Sequence, residues 1–503
     1  MVTASFTLPV GVVTAPTDAK KSVSWMKTNF IRWSGEKMIP IAGWERFSYT
    51  APDSFIRAIH TWRDLSNREW TAYLTESKLY VDYGGALVDI SPTPAIEPYV
   101  PGAGGYGDAE YNYDDYGDAR PAVLGKRVFG PCFTLDNWGE NLLAMSSVDG
   151  RLLQWEPPSG NDPPDPAGVV PNAPTGCRTF VVTPERVVQV FCPGGDISSY
   201  AWCDQEDIEN WTPGITSFAG DLPVEPASPV VAALAVDGGT LFTTAKKVYI
   251  SEYIGLPYIF RTLDRADGAA PISAGALRRV IGGAVWVSES GFWRLNGVSI
   301  EPITCEVWPW LIENIDWNVA RMSAVSVVIE TLSEFWFFFP TKGSTRNDRA
   351  VVLNFRDGWW AMHDIGRSAG YSSNYVTYPI MADGKRVYKH ESGNTFADTP
   401  LMPYAESFSI NAFDGASMTN VRQLQPEVEG DTDALRFSFL TRMNRAKPDY
   451  KTTPQRRVQP NGLVDVDASA RDFRMRIDQI RAVNEPWTLG VVNIDAVALG
   501  KMP

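Results

Sequence analysis

Gly150-Arg151-Leu152-Leu153-Gln154-Trp155 is a turn, a short apolar stretch and a closing aromatic, and the pattern returns along the chain. It stands earlier as Ser77-Lys78-Leu79-Tyr80. Later it stands as Ser199-Tyr200-Ala201-Trp202, Lys246-Lys247-Val248-Tyr249, Ser290-Gly291-Phe292-Trp293, Ser333-Glu334-Phe335-Trp336 and Gly384-Lys385-Arg386-Val387-Tyr388. The aromatics fall at 80, 155, 202, 249, 293, 336 and 388, so the gaps are 75, 47, 47, 44, 43 and 52 residues. Five of the six gaps sit near the roughly 40–50 residues of one four-stranded propeller blade. The long gap holds PGAGGYGDAEYNYDDYGDARP, residues 101–121, which has no periodicity. Removing about 30 residues for this insertion and its flanks restores one blade's length.

The spacing therefore predicts an all-β chain whose residues 43–397 form a propeller of six or seven blades. One four-stranded sheet cannot bury both faces alone; packed in a ring it can, and only short edges stay exposed. A β-rich chain of another architecture also yields aromatic strand ends, and the ring is the reading that accounts for their period. Beyond 397 the texture changes to alternating strands such as Leu435-Arg436-Phe437-Ser438-Phe439-Leu440 and Phe473-Arg474-Met475-Arg476-Ile477. Residues 398–503 are expected to form a separate small β-sandwich or platform. Residues 1–42 are expected to form an arm, free to join that platform. The one helix candidate is Cys305–Val319, with Pro309 in its first turn.

Composition supports this class. The chain has 503 residues, 44% hydrophobic and 21% charged, so a core can be buried. Its 41 Gly, 37 Pro, 18 Trp, 19 Tyr and 23 Phe suit short strands joined by turns. A net charge of −14 argues against a protein that grips nucleic acid or anionic membrane through a basic face. Met1–Val13 lacks a basic n-region and does not read as a signal peptide, and no apolar run reaches the ~20 residues of a membrane helix. Cys132, Cys177, Cys192, Cys203 and Cys305 show no CxxC spacing, which points to structural thiols in a reducing cytosol.

Chemistry is thin. There is no GxSxG elbow, HExxH, P-loop or GxGxxG after a strand. His60, His363 and His390 are the three histidines, and none has an evident Ser or Cys partner. The Asp149-Gly150 turn resembles the Asp-box of sialidase propellers, but it occurs once and lacks that spacing. Asp465-Val466-Asp467 and Asp431-Thr432-Asp433 belong to no EF-type loop. No catalytic residue, metal or cofactor is expected. The most informative segment is the insertion, with Asp108, Glu110, Asp114, Asp115 and Asp118 among Tyr106, Tyr111, Tyr113 and Tyr116. It reads either as a surface loop or as a segment that orders against a neighbouring subunit, where tyrosine rings bring contact area at low entropy cost.

A family resemblance joins these features. Gly43-Trp44-Glu45-Arg46 leads into Ile56-Arg57-Ala58-Ile59-His60-Thr61-Trp62-Arg63-Asp64, then Ser77-Lys78-Leu79-Tyr80-Val81, Gly84-Gly85 and Leu87-Val88-Asp89-Ile90. The Gly/Tyr loop follows, and then Leu135-Asp136-Asn137-Trp138-Gly139-Glu140. With Trp487-Thr488-Leu489-Gly490 and Asp495 near the C-terminus, this succession resembles the tail nozzle (tail hub) proteins of short-tailed bacteriophages. The resemblance implies a structural virion protein made in the bacterial cytoplasm. Six copies would form a ring below the portal and its adaptor, closed by a needle or tip, with tail fibres docked around it and no membrane anchor. The viral double-stranded DNA would pass through the bore without specific binding. Six copies at −14 each carry −84 formal charges, and carboxylates on a bore repel phosphates rather than hold them. Asp108, Glu110, Asp114, Asp115 and Asp118 are the expected channel or seam charges, and the four tyrosines the expected inter-subunit contacts. The alternatives are a propeller enzyme that degrades a host surface glycan, and a non-viral propeller scaffold for protein partners.

Overall fold

The computed structural model describes residues 2–6, 10–14, 24–47, 52–98, 130–160, 162–373, 376–397, 399–410, 418–443, 449–483 and 485–500. The acidic Tyr/Gly insertion, including every residue named for it above, lies outside them.

Six four-stranded antiparallel blades and a seventh that belongs to a six-stranded sheet make up the ring, which settles the count between six and seven. Their innermost strands are Ile56–Arg63, Phe133–Trp138, Thr179–Val182, Val230–Val236, Leu277–Val280, Val325–Ile329 and Ala369–Tyr371, and each touches the next around a closed circle. Blade 1 shows the build: Ile56–Arg63, Glu69–Thr75, Leu79–Tyr83 and Ala86–Asp89 pair in order. Blade 7 is made differently. Ala369–Tyr371, Ile380–Asp383 and Arg386–His390 supply three strands, and Trp44–Arg46 adds the fourth, pairing Tyr388 with Arg46 and His390 with Trp44. One blade thus joins chain segments from both ends of the propeller, so its hydrogen bonds close the ring. Trp44 is fully buried there, stacked on His390 at 5.2 Å and edge-on to Phe396 at 4.8 Å.

Six of the seven aromatic marks lie on third strands: Tyr80, Trp155, Trp202, Tyr249, Trp293 and Tyr388. Trp336 does not. It sits on the second strand of blade 6, Glu334–Phe339, directly opposite Val352 of the third. That second strand is buried throughout, so aromatics fill it and the third strand, Arg349–Asn354, carries none. The Gly150 turn has a local cause: its φ is +71°, and a Cβ there would meet the Gly176 Cα at 2.6 Å, so only glycine fits.

The helix candidate is two short helices in the connection from blade 5 to blade 6, α1 (Trp308–Asn314) and α2 (Trp317–Ser323). Pro309 opens α1, and the Asp316 carboxylate caps α2 by accepting from the Asn318 and Val319 amides.

The sandwich draws on both ends of the chain, not on 398–503 alone. One sheet orders Ile31–Ser34, Lys37–Pro40, Thr488–Gly500, Met418–Glu429 and Val464–Ala470, with Val2–Phe6 also on Thr488–Gly500. The other orders Trp25–Asn29, Tyr404–Ile410, Asp472–Gln479, Leu435–Arg442 and Lys451–Thr452. The described part of the first 42 residues therefore contributes strands rather than a free arm. Nor is the sandwich separate: Trp25, Trp33, Phe437, Phe473 and Trp487 share one continuous core with Phe292, Phe337 and Trp360 of the propeller.

Charge crosses that seam under cover. Arg32, on the sandwich strand Ile31–Ser34, meets Glu334 of blade 6 (Nε–Oε1 2.9 Å) and Glu391 of blade 7 (Nη2–Oε1 2.7 Å, Nη1–Oε2 2.8 Å). The Trp336 indole also donates to Glu334, at 2.9 Å. Burial works against the Arg32 charge, but the two carboxylates outweigh it and hold the guanidinium more firmly protonated than usual. Burial pushes the Glu334 carboxyl up, although Arg32 pulls it back.

Candidate functional site

Strands of each blade alternate in direction. First-to-second and third-to-fourth turns therefore share one propeller face, and the blade-to-blade connections lie on the other. On the connection face the ring encloses an axial cavity of about 230 Å³. Pro131, Ser273, Gly275, Met322 and Ala324, all from blade-to-blade connections, stand at its mouth. Its walls come from the inner strands: Ile59, Phe133, Leu135 and Leu234 are apolar, while Thr134, Thr179, Ser368 and Tyr371 bring hydroxyls.

Among the described residues two cations line this cavity and no Asp or Glu does. Arg57 is engaged by Glu76, Nε to Oε1 at 3.0 Å. Arg278, second residue of the inner strand of blade 5, meets no carboxylate among the described residues. Its Nη1 donates to the Leu277 carbonyl at 2.9 Å. Arg278 is half-buried in the cavity wall, and its desolvation there lowers its pKa to about 10 while the Tyr371 hydroxyl works the other way. Losing water without gaining a carboxylate is costly for a guanidinium.

Next to the cavity, on the inner strands of blades 1 and 2, His60 and Asp136 are buried together. Burial pushes the His60 imidazole down and the Asp136 carboxyl up. His60 Nε2 lies 2.5 Å from Asn137 Oδ1, an acceptor, so the neutral ring carries its proton there. The ring also lies 4.9 Å from that of Tyr371. The Asp136 carboxylate accepts from the Asn137 and Val182 amides. The His60–Asn137 contact ties blade 1 to blade 2.

The other two histidines are also buried and neutral. His363 accepts from the Phe30 amide at Nδ1 (2.9 Å) and stacks on Trp336, and burial takes its pKa down to about 3. His390 accepts from Arg367 Nε at 3.0 Å and is pushed well below the usual value by burial. The Asp149 turn is structural, its carboxylate paired with Arg151. All five cysteines are free thiols, and burial raises Cys177 and Cys203 to about 12. Asp465 is taken up by Gln423 and Gln459, and Asp431 by Arg481. Among the described residues no cluster of His, Cys, Asp and Glu could hold a metal ion, and no helix is long and apolar enough to cross a membrane. Sequence reasoning missed Arg278. It stands in Leu277-Arg278-Arg279-Val280, where nothing local separates an axial arginine from its surface neighbour.

The face opposite the connections carries large apolar side chains at its turn tips: Leu65 on blade 1, Ile215 on blade 3, Leu256 and Tyr258 on blade 4, Ile281 and Val298 on blade 5. Leu65 is 88% exposed and Ile215 entirely so.

No known family model matches this chain, and no curated protein does. Solved structures match its fold. The WD40 domain of Neurospora crassa Pan2 is 10% identical, with a TM-score of 0.38 over 71% of this chain and 98% of that one. A catalytically inactive virginiamycin B lyase from Staphylococcus aureus, solved with quinupristin, is 9% identical, with a TM-score of 0.34 over 71% and 97%. PorZ of Porphyromonas gingivalis is 10% identical, with a TM-score of 0.25 over 58% of this chain and 43% of that one. The chain is an all-β propeller with an added β-sandwich.

Proposed function

We propose that this chain is a subunit of the tail nozzle of a short-tailed bacteriophage, one of six copies that together surround the genome channel. The observation that carries this reading is the two-part plan. A platform built from both ends of the chain is fused through one core to a propeller. The axial cavity of a single propeller has no room for a duplex, so the bore in this reading runs between subunits, at the centre of the ring. The net charge of −14 per copy suits a wall that does not hold phosphates. The exposed tips at Leu65, Ile215, Leu256, Tyr258, Ile281 and Val298 suit contacts with neighbouring virion proteins. A glycan hydrolase would need two carboxylates about 5–10 Å apart across a cleft, and among the described residues neither Asp nor Glu lines the axial cavity.

The test is electron microscopy of the purified chain mixed with its cognate adaptor ring. A hollow six-fold tube is expected. A chain that stays monomeric beside the adaptor overturns the reading. In virions, changing Asp108, Glu110, Asp114, Asp115 and Asp118 to Lys is expected to slow genome ejection while particles still assemble.

A further inference from the structure

We infer that the axial cavity is a binding site for a small organic carboxylate, of hydroxy-acid or sugar-acid size, seated on the Arg278 guanidinium. Three observations meet there. The guanidinium lines a cavity that opens at the connection face, and it has no acidic partner among the described residues. The other cation among the described lining residues, Arg57, is already engaged by Glu76. The cavity is also larger than a bare ion needs: about 230 Å³ is room for roughly seven waters.

The guanidinium fork suits two carboxylate oxygens side by side, a geometry that a single ammonium cannot offer. The lining suits the rest of such a molecule. Ile59, Phe133, Leu135 and Leu234 offer apolar surface to a carbon skeleton, and Tyr371 brings a hydroxyl to the same wall, where the Thr134 and Thr179 hydroxyls bond each other at 2.8 Å. The mouth opens among the blade-to-blade connections, so a ligand enters along the propeller axis. The site lies within one copy, so this inference stands or falls independently of any ring.

Arg278→Gln separates a ligand site from a structural arginine, because the two roles predict opposite signs. A structural arginine lost to glutamine lowers the melting temperature in every buffer. A ligand-seating arginine is a desolvated charge when empty. Its neutral variant should therefore melt no lower than wild type in buffer without organic anions, and lose the response to carboxylate. The full chain is titrated with lactate, glucuronate and inorganic phosphate, read by thermal shift and calorimetry. Wild type is expected to show a saturable rise with lactate or glucuronate. Arg278→Gln should bind at least ten-fold more weakly, and Arg278→Lys should fall between. Ala233→Phe fills the cavity from blade 4 and leaves Arg278 in place; it should also lose the response. No saturable response of wild type to either carboxylate, a response to phosphate alone, or an equal response in Arg278→Gln overturns the inference.

Discussion

Arg32 is buried and Arg278 half-buried, and the molecule treats the two charges in opposite ways. At the seam between sandwich and propeller, Arg32 is closed in by Glu334 and Glu391, with Trp336 donating to the same Glu334. On the propeller axis, half-buried Arg278 donates to a backbone carbonyl and meets no carboxylate among the described residues. Arg367 is an intermediate case: it donates to His390 and lies over the rings of Trp44 and Tyr388 at 5.1 and 4.9 Å. A seam must hold one geometry, so its charges are matched within the chain. An axis that leaves a guanidinium unmatched beside an open cavity is arranged for something from outside.

The largest expected effect breaks the matched side. Arg32→Met leaves Glu334 buried without its cation, and losing one partner of a buried pair typically costs about 3–5 kcal/mol. Urea unfolding should show that loss as a lower midpoint. The double variant Arg32→Met with Glu334→Leu should recover most of it, because the buried charge goes with its partner. If the single variant unfolds like wild type, the seam is not held by this triad, and the contrast with Arg278 fails.

Acid sharpens the same contrast at the next scale down. His363 and His390 are neutral when folded, with folded values far below the unfolded 6.5. Below pH 6.5 the unfolded chain binds more protons than the folded one. Stability is therefore complete above that pH and is lost as pH falls towards about 3, the folded value of His363. Each ring contributes up to about 1.4 kcal/mol per pH unit in that window. Glu334, raised by burial, acts in the opposite sense and offsets part of the loss. Unfolding midpoints between pH 7.5 and 5 should fall for wild type, and fall less for His363→Gln.

How far the sequence reaches is visible in the same residues. The blade period was readable because a turn, an apolar residue and an aromatic must recur wherever a third strand packs into the next blade. It failed at Trp336, where a strand buried on both faces takes aromatics at every position after Glu334. The ring closure was not readable: Trp44–Arg46 shows no local sign that it will pair with Arg386–His390. Arg32 stood in a stretch expected to be an arm, because its partners Glu334 and Glu391 lie 302 and 359 residues away. The axial site was hidden for the same reason. Its wall takes one or a few residues from each of seven distant strands, and no spacing along the chain marks them.

The smallest effect probes the mouth of the axis. Asp316 caps α2, accepting from the Asn318 and Val319 amides at 3.1 and 3.2 Å, and α2 ends in Met322 and Ser323 at the cavity. Asp316→Ala removes the cap and should cost about 1 kcal/mol. Hydrogen exchange should quicken across 317–323, while the amides around Arg32 and Trp336 keep their protection. The loss then stays on the axial side of the molecule, because the seam is braced by its own ion pairs. Exchange that quickened equally at the seam would mean that the two regions unfold as one unit. The difference between Arg32 and Arg278 would then be one of partners only, and the axial mouth would have no freedom of its own to admit a ligand.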